Sequence, residues 1–222
     1  MTHYKVAEKF ISLNGEGVLV GQPAVFIRFH GCNLSCSFCD TTWANEKDAA
    51  YSLMTEHQIY EYIKGTGIKN VTLTGGEPLL VPAIEELLCL LSSDQCLHVE
   101  IETNGSIDLS PFANIQNPPS FTMDYKLPSS LMEDKMLVSN FKILSKKDTV
   151  KFVVGNMEDL NRAREVIHEY DLANKCHVLI SPVYGRIKLD KIADYLIKHR
   201  MNNVAMQLQM HKIIWEPNRR GV

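Results

Sequence analysis

Seven short runs rich in β-branched and aromatic residues recur along this chain, and stretches with helical periodicity separate them. The runs are AVFIRF (24–29), VTLT (71–74), HVEIET (98–103), FTMDY (121–125), VKFVV (150–154), HVLIS (177–181) and VAMQLQ (204–209). Between the first two, MTEHQIYEYIKG carries Thr55 and Gln58 at capping-box spacing, with Gly65 or Gly67 available to end a helix. Further on, PAIEELLCLL, MEDLNRAREVIHEY and LDKIADYLIKH each show an apolar stripe at helical spacing. Strand–helix alternation predicts parallel strands joined by helical crossovers, and hence an α/β fold. Six or seven strands suit an incomplete, TIM-like βα barrel better than a closed eightfold one. The stretch from Pro128 to Lys147 is weakly periodic, so the crossover there is expected to be short or irregular.

With 222 residues, 45% of them hydrophobic, the chain has enough material for a packed core, and no interdomain linker or repeat divides it. A single domain over residues 1–222 is therefore expected, with an N-terminal extension before the first barrel strand. Charged residues make up 22% and the formal net charge is −3, which gives no electrostatic bias towards nucleic acid or an anionic membrane. No apolar run nears the roughly 20 residues of a membrane span, and MTHYKVAEKF lacks a signal-peptide pattern, so a cytoplasmic location is expected. Polar clusters follow the strand runs: HGCN, TGGEP, ETNGS, DYK and SPVYG. In open or barrel-like α/β sheets chemistry gathers at these carboxyl ends, which predicts one shared cavity.

Six cysteines in a chain read as cytoplasmic argue for metal or redox chemistry rather than disulfides. Three of them, Cys32, Cys36 and Cys39, crowd into RFHGCNLSCSFCDTTWA (28–44). A cubane of four irons held by three thiolates leaves one iron free to bind a small molecule, so the odd number fits an open, reactive cluster. Structural zinc is the alternative, with His30 as the nearest further ligand. Cys89, Cys96 and Cys176 are single residues beside or within apolar stretches and read as buried, inert thiols.

The Cys-x3-Cys-x2-Cys loop after a first strand, with Phe38 before the last cysteine and Gly75-Gly76-Glu77-Pro78 after the next strand, resembles the radical S-adenosylmethionine (SAM) superfamily. The resemblance implies a 4Fe–4S cluster on Cys32, Cys36 and Cys39, with SAM as the source of a radical. No side chain then needs a catalytic assignment of its own, because the radical is generated from SAM at the cluster. The GGEP turn is implied to meet SAM through backbone atoms, which suits glycines that allow close approach and a proline that stiffens the exit.

Within that superfamily, SLNGEG (12–17), Arg28, HGCN, CDTTWA and the His211-Lys212 pair resemble the 7-carboxy-7-deazaguanine synthase family. This implies a carbon–nitrogen lyase of the queuosine and deazapurine pathway. Its reaction converts 6-carboxy-5,6,7,8-tetrahydropterin into 7-carboxy-7-deazaguanine with release of ammonia. Implied substrate contacts are Leu13, Asn14, Gly15, Arg28 and Thr74, with Arg28 pairing a carboxylate in a fork that lysine cannot make. Implied SAM contacts are Phe38, Cys39, Asp40 and Gly76, then Asp124, Tyr125 and Lys126, then Ser181, Pro182, Val183 and Tyr184. Asp124 stands where the family more often has serine. Thr41 matches a magnesium ligand, although as a bare sequence feature it reads equally as a helix cap. Glu102 reads as a cavity group or as a cap for the next helix, and Pro217 is left unassigned because five residues follow it. A flavodoxin or ferredoxin-type reductant and a homodimer are further implications. Two other readings stay open from the residues alone: a glycyl-radical-enzyme activase, and a non-catalytic zinc-binding module.

Overall fold

The structure, a computed structural model, describes residues 2–222. Its strands are β1 (Tyr4–Leu13), β2 (Pro23–Phe29), β3 (Ser52–Met54), β4 (Asn70–Gly75), β5 (His98–Thr103), β6 (Ser120–Tyr125), β7 (Thr149–Val154), β8 (His177–Pro182) and β9 (Val204–Met206). All seven runs identified from the sequence form strands, and β2 and β4 to β9 lie parallel in chain order within one sheet. The other two strands extend this sheet at the β2 edge: β1 pairs antiparallel with β2, and β3 pairs antiparallel with β1. The N-terminal extension is thus itself a strand. The last run is shorter than its sequence suggests. After Met206 the Gln207 side chain turns to Gly17, donating to its carbonyl (3.0 Å) and accepting from its N–H (2.7 Å).

The helices are α1 (Glu56–Thr66), α2 (Ile84–Ser93), α3 (Ser110–Ala113), α4 (Met157–Glu169), α5 (Leu172–Lys175), α6 (Leu189–Lys198) and α7 (His211–Ile214). Thr55 and Gln58 close the capping box at the start of α1, and Gly67 ends it with φ 71°, a conformation that glycine adopts without strain. From 128 to 142 the crossover is three 3-10 turns rather than a helix. Asn140 stands in for helical bonding there: it accepts from Leu109 N (3.1 Å) and donates to the Ile107 carbonyl (2.8 Å).

Strand alternation sorts the side chains. Ile27, Leu73, Ile101, Met123, Phe152 and Ile180 pack under the helices against residues such as Ile59, Leu87, Leu91 and Val166. Burial of each such side chain is worth about 1.5–3 kcal/mol relative to exposure. The other parity carries the polar residues, along with Phe26, Val153 and Leu179, and register sets polar groups side by side: Arg28 with Thr74, Thr72 with Glu100, Glu102 with Thr122, and Asp124 with Lys151. Among the described residues no helix is long and apolar enough to cross a membrane. Cys176 is buried, and burial pushes its thiol up to about 11. Cys89 and Cys96 are exposed, contrary to the sequence expectation. Cys89 falls outside the Leu87, Leu88 and Leu91 stripe that α2 buries, and Cys96 lies in the turn that follows the helix.

Candidate active site

A cavity of about 470 Å³ opens at the carboxyl ends of the parallel strands, and Cys32, Cys36 and Cys39 all line it. Their loop is fastened by hydrogen bonds to neighbouring loops. Ser37 N donates to the Ser130 carbonyl (3.1 Å), Ser37 Oγ to the Ser129 carbonyl (2.6 Å), and Asn33 Nδ2 to Ser106 Oγ (2.8 Å). The three thiols are free and partly exposed. Burial raises the Cys36 thiol, with Lys126 opposing and Cys39 and Cys32 adding to the rise.

Three free thiols on one loop, beside glycines and lysines that leave room and positive charge, fit a cluster held at three corners. Among the described residues no three His, Cys, Asp or Glu side chains converge as the ligands of one ion would. His30 contacts the Glu46 carbonyl through Nε2 (3.1 Å) and packs against Tyr51, so its ring is engaged away from the thiols.

The GGEP turn abuts this loop. Gly76 N donates to the Phe29 carbonyl (3.2 Å) and Glu77 N to the Gly31 carbonyl (2.9 Å). A Cβ on Gly76 would collide with the Gly31 oxygen and with Asn45 Oδ1, so the close approach requires glycine. Glu77 is fully buried and accepts from Leu79 N (3.0 Å), Thr103 Oγ1 (2.9 Å) and Asn104 N (2.6 Å), tying the end of β4 to the end of β5. Burial pushes its carboxyl up to about 7 against those bonds.

The other residues expected from the sequence divide by strand parity. Phe38, Asp40, Thr41, Thr74 and Gly76 reach the cavity, as do Leu13, Gly15 and Arg28. Asn14 does not: it is buried, with Oδ1 accepting from Thr72 Oγ1 (3.0 Å). Asp124 and Lys126 line the cavity, 2.8 Å apart, whereas Tyr125 between them points into the core and stacks on Phe141. Val183 and Tyr184 line it, and Ser181 and Pro182 are buried behind them.

Arg28 Nε meets Glu8 Oε2 at 3.2 Å, so the arginine has an ion-pair partner within the chain and still lines the cavity. Thr41 makes no side-chain cap bond to the turn at Thr42–Ala44, and its Oγ1 lies 3.6 Å from Cys39 Sγ. Burial would raise the Asp40 carboxyl, but Lys212 Nζ at 3.1 Å holds it below the usual range.

Pro217, left unassigned in the sequence, lines the cavity, and several further lining residues had no role expected from the sequence: Glu16, Lys151, Trp43 and the tail from Asn218 to Val222. Lys151 had a visible signal, a lone charge inside the apolar strand VKFVV at a position of inward parity. Glu102, left open in the sequence, lines the cavity, with its carboxyl raised by burial.

A parallel barrel-like sheet, a three-cysteine loop after the first parallel strand and a glycine turn after the second define a radical SAM protein. The family model for the radical SAM superfamily matches residues 26–117, and membership implies a 4Fe–4S cluster and SAM. The 7-carboxy-7-deazaguanine synthase of Clostridium acetobutylicum is 60% identical over 220 residues, covering 99% of this chain and 100% of the relative. That of Methanospirillum hungatei is 39% identical, covering 96% and 86%. A solved structure described as the crystal structure of QueE from Escherichia coli superposes with a TM-score of 0.71 at 20% identity, covering 93% of this chain and 94% of that one, and supports the fold. The chain belongs to the 7-carboxy-7-deazaguanine synthase family.

Proposed function

We propose that this protein converts 6-carboxy-5,6,7,8-tetrahydropterin into 7-carboxy-7-deazaguanine and ammonia. The observation that carries the reading is that Leu13, Gly15, Arg28 and Thr74 line the same cavity as the three thiols. When bound at Cys32, Cys36 and Cys39, the cluster together with SAM supplies the radical chemistry that removes hydrogen from C6 of the pterin.

The chain's own groups bind and orient. The Gly76 backbone lines the cavity to meet the amino group of SAM, and Phe38, Asp40, Asp124, Lys126, Val183 and Tyr184 surround the remainder, with the buried Tyr125 and the Ser181-Pro182 segment behind. Arg28 takes the substrate carboxylate in a forked pair, which fixes the ring's orientation as well as its charge. Leu13 and Gly15 line the cavity where the flat heterocycle is received, and Asn14 between them fixes the loop, its N–H donating to the Gln22 carbonyl (2.8 Å) and its carbonyl accepting from Gly21 N (2.8 Å). Thr41 offers a hydroxyl to Mg2+, an ion that favours oxygen ligands and retains waters. One continuous sheet supports reading residues 1–222 as a single radical SAM core. A flavodoxin or ferredoxin-type reductant and a homodimer complete the proposal.

The test is anaerobic incubation of reconstituted, reduced protein with SAM and the carboxylated tetrahydropterin. Deazaguanine and ammonia are expected together. SAM cleavage without either product overturns the reading.

A further inference from the structure

Lys151 is 7% exposed, in the middle of β7, and nothing in the reading above uses it. Its ammonium pairs with Glu16 Oε2 on one side and lies 3.1 Å from Asp124 Oδ1 on the other. Asp124 Oδ2 in turn holds Lys126 Nζ at 2.8 Å. The four groups form a chain of alternating sign that runs from the NGEG loop, across the cavity floor, to the end of β6. One end adjoins the residues proposed for the heterocycle and the other those proposed for SAM.

The two carboxylates that Lys151 touches are not equally dependent on it. Asp124 keeps Lys126 if Lys151 is removed. Glu16 is only 9% exposed and has no second ion-pair partner among the described residues; its Oε1 is buried without any hydrogen-bond partner. A buried carboxylate stripped of its one cation must move or take up a proton, and either response shifts the loop that carries it. That loop is short and tightly seated: Gly15 packs on His211 and Gly17 is bonded on both sides to Gln207. A displaced Glu16 therefore carries Leu13 to Gly15 with it.

We infer that Lys151 is a positioning residue that holds Glu16, and through it the 13–17 loop, in the conformation that receives the heterocycle. The inference rests on the proposed function. It differs from a role in general stability, because a loss of packing in β7 weakens both ligands, whereas loss of the Glu16 anchor weakens one.

The experiment titrates cluster-loaded protein anaerobically, without reductant, with 7-carboxy-7-deazaguanine and separately with SAM. Lys151→Met is expected to weaken deazaguanine binding by about tenfold or more while SAM affinity stays within about threefold. In a Glu16→Gln background the same substitution is expected to add less than about threefold, because residues acting through one another are not additive. Equal weakening of both ligands, an unchanged deazaguanine affinity, or losses that multiply in the double variant overturn the inference. If Lys151→Met does not fold, Lys151→Arg keeps the charge inside the strand. Its longer, forked head displaces Glu16, so about threefold weaker deazaguanine binding at constant SAM affinity is expected, and no change overturns the inference. Wild-type protein that binds no deazaguanine at all removes the proposed function and this inference together, whereas normal wild-type binding with indifferent variants removes the inference alone.

Discussion

Glu100 offers the most direct physical test of the interior. It lies beneath the NGEG loop, 7% exposed, where Thr122 Oγ1 donates to its Oε1 and where a Cβ on Gly17 would come within 2.9 Å of that same oxygen. Burial pushes its carboxyl from 4.5 up to about 7; Glu102 and Glu16 add to the rise, and Thr122 and Lys151 oppose it. A folded value above the unfolded one means that the native state holds the proton more tightly. Below about pH 4.5 both states are protonated and the group contributes nothing differential.

As pH rises to about 7, the unfolded chain ionises freely while the folded one resists, so stability falls. At about 1.4 kcal/mol per tenfold change in proton affinity, the loss is about 3 kcal/mol. Glu100→Gln keeps an acceptor for Thr122 and cannot ionise. Relative to wild type it should be near neutral at pH 4.5 and about 3 kcal/mol more stable at pH 8. Urea unfolding of the cluster-free protein reads this as a midpoint difference that grows by about 1–2 M between the two pH values. Groups that titrate in both proteins cancel in the comparison. A midpoint difference that changes by less than about 0.3 M between pH 4.5 and pH 8 refutes the reasoning.

Cys36→Ala is expected to abolish cluster retention, read as loss of iron and of visible absorbance after anaerobic reconstitution; an unchanged iron content removes the ligand assignment. Thr41→Val should lower turnover in added Mg2+ and make the residual rate indifferent to chelator, whereas a wild-type response to both counts against the hydroxyl ligand. Deleting residues 218–222 removes the Arg220 guanidinium that sits 4.0 Å from the Trp43 ring centroid, a contact worth about 0.5–1 kcal/mol when exposed. Trp43 emission should change and KM should rise about two- to fivefold. An unaltered KM places the tail outside the working site.

The strands from AVFIRF to HVLIS were legible because their apolar residues recur at the short range of a strand and turn signals bound them. YKVAEKFISL escaped because Lys5, Glu8 and Lys9 interrupt its apolar pattern; its strand character comes from antiparallel pairing with β2, a long-range contact that local sequence does not display. Ser52–Met54 is a three-residue strand dependent on β1 in the same way. At the site, motif spacing was enough for the cysteines, but motif membership blurred direction. Tyr125 sits inside a motif that reaches the cavity, yet alternation turns its ring into the core, where its hydroxyl donates to Glu133 (3.2 Å). Lys151 and Arg220 were missed because their partners, Glu16 and Trp43, lie more than a hundred residues away.

That separation divides the cavity into two parts with different origins. The cysteine loop and the GGEP turn follow β2 and β4, neighbours in the parallel sheet, and are joined backbone to backbone from Gly76 to Phe29 and from Glu77 to Gly31. This part follows from local sequence and short-range topology. The part proposed for the pterin adds to Arg28 and Thr74 a wall built from the chain's two ends. The loop after β1 meets the segment after β9 where Met210 N donates to the Gly15 carbonyl (3.2 Å) and where Gly17 and Gln207 exchange hydrogen bonds. Lys212 then reaches Asp40 beside the last cysteine. Neither end presents a binding surface alone, because each supplies the hydrogen-bond partners of the other. Closing a loop of nearly the whole chain carries an entropic cost that grows only logarithmically with length, so a few buried bonds and ion pairs suffice to offset it. The Lys151–Glu16 pair lies at that junction, and this explains why a charge is kept in the middle of a strand whose neighbouring residues are apolar.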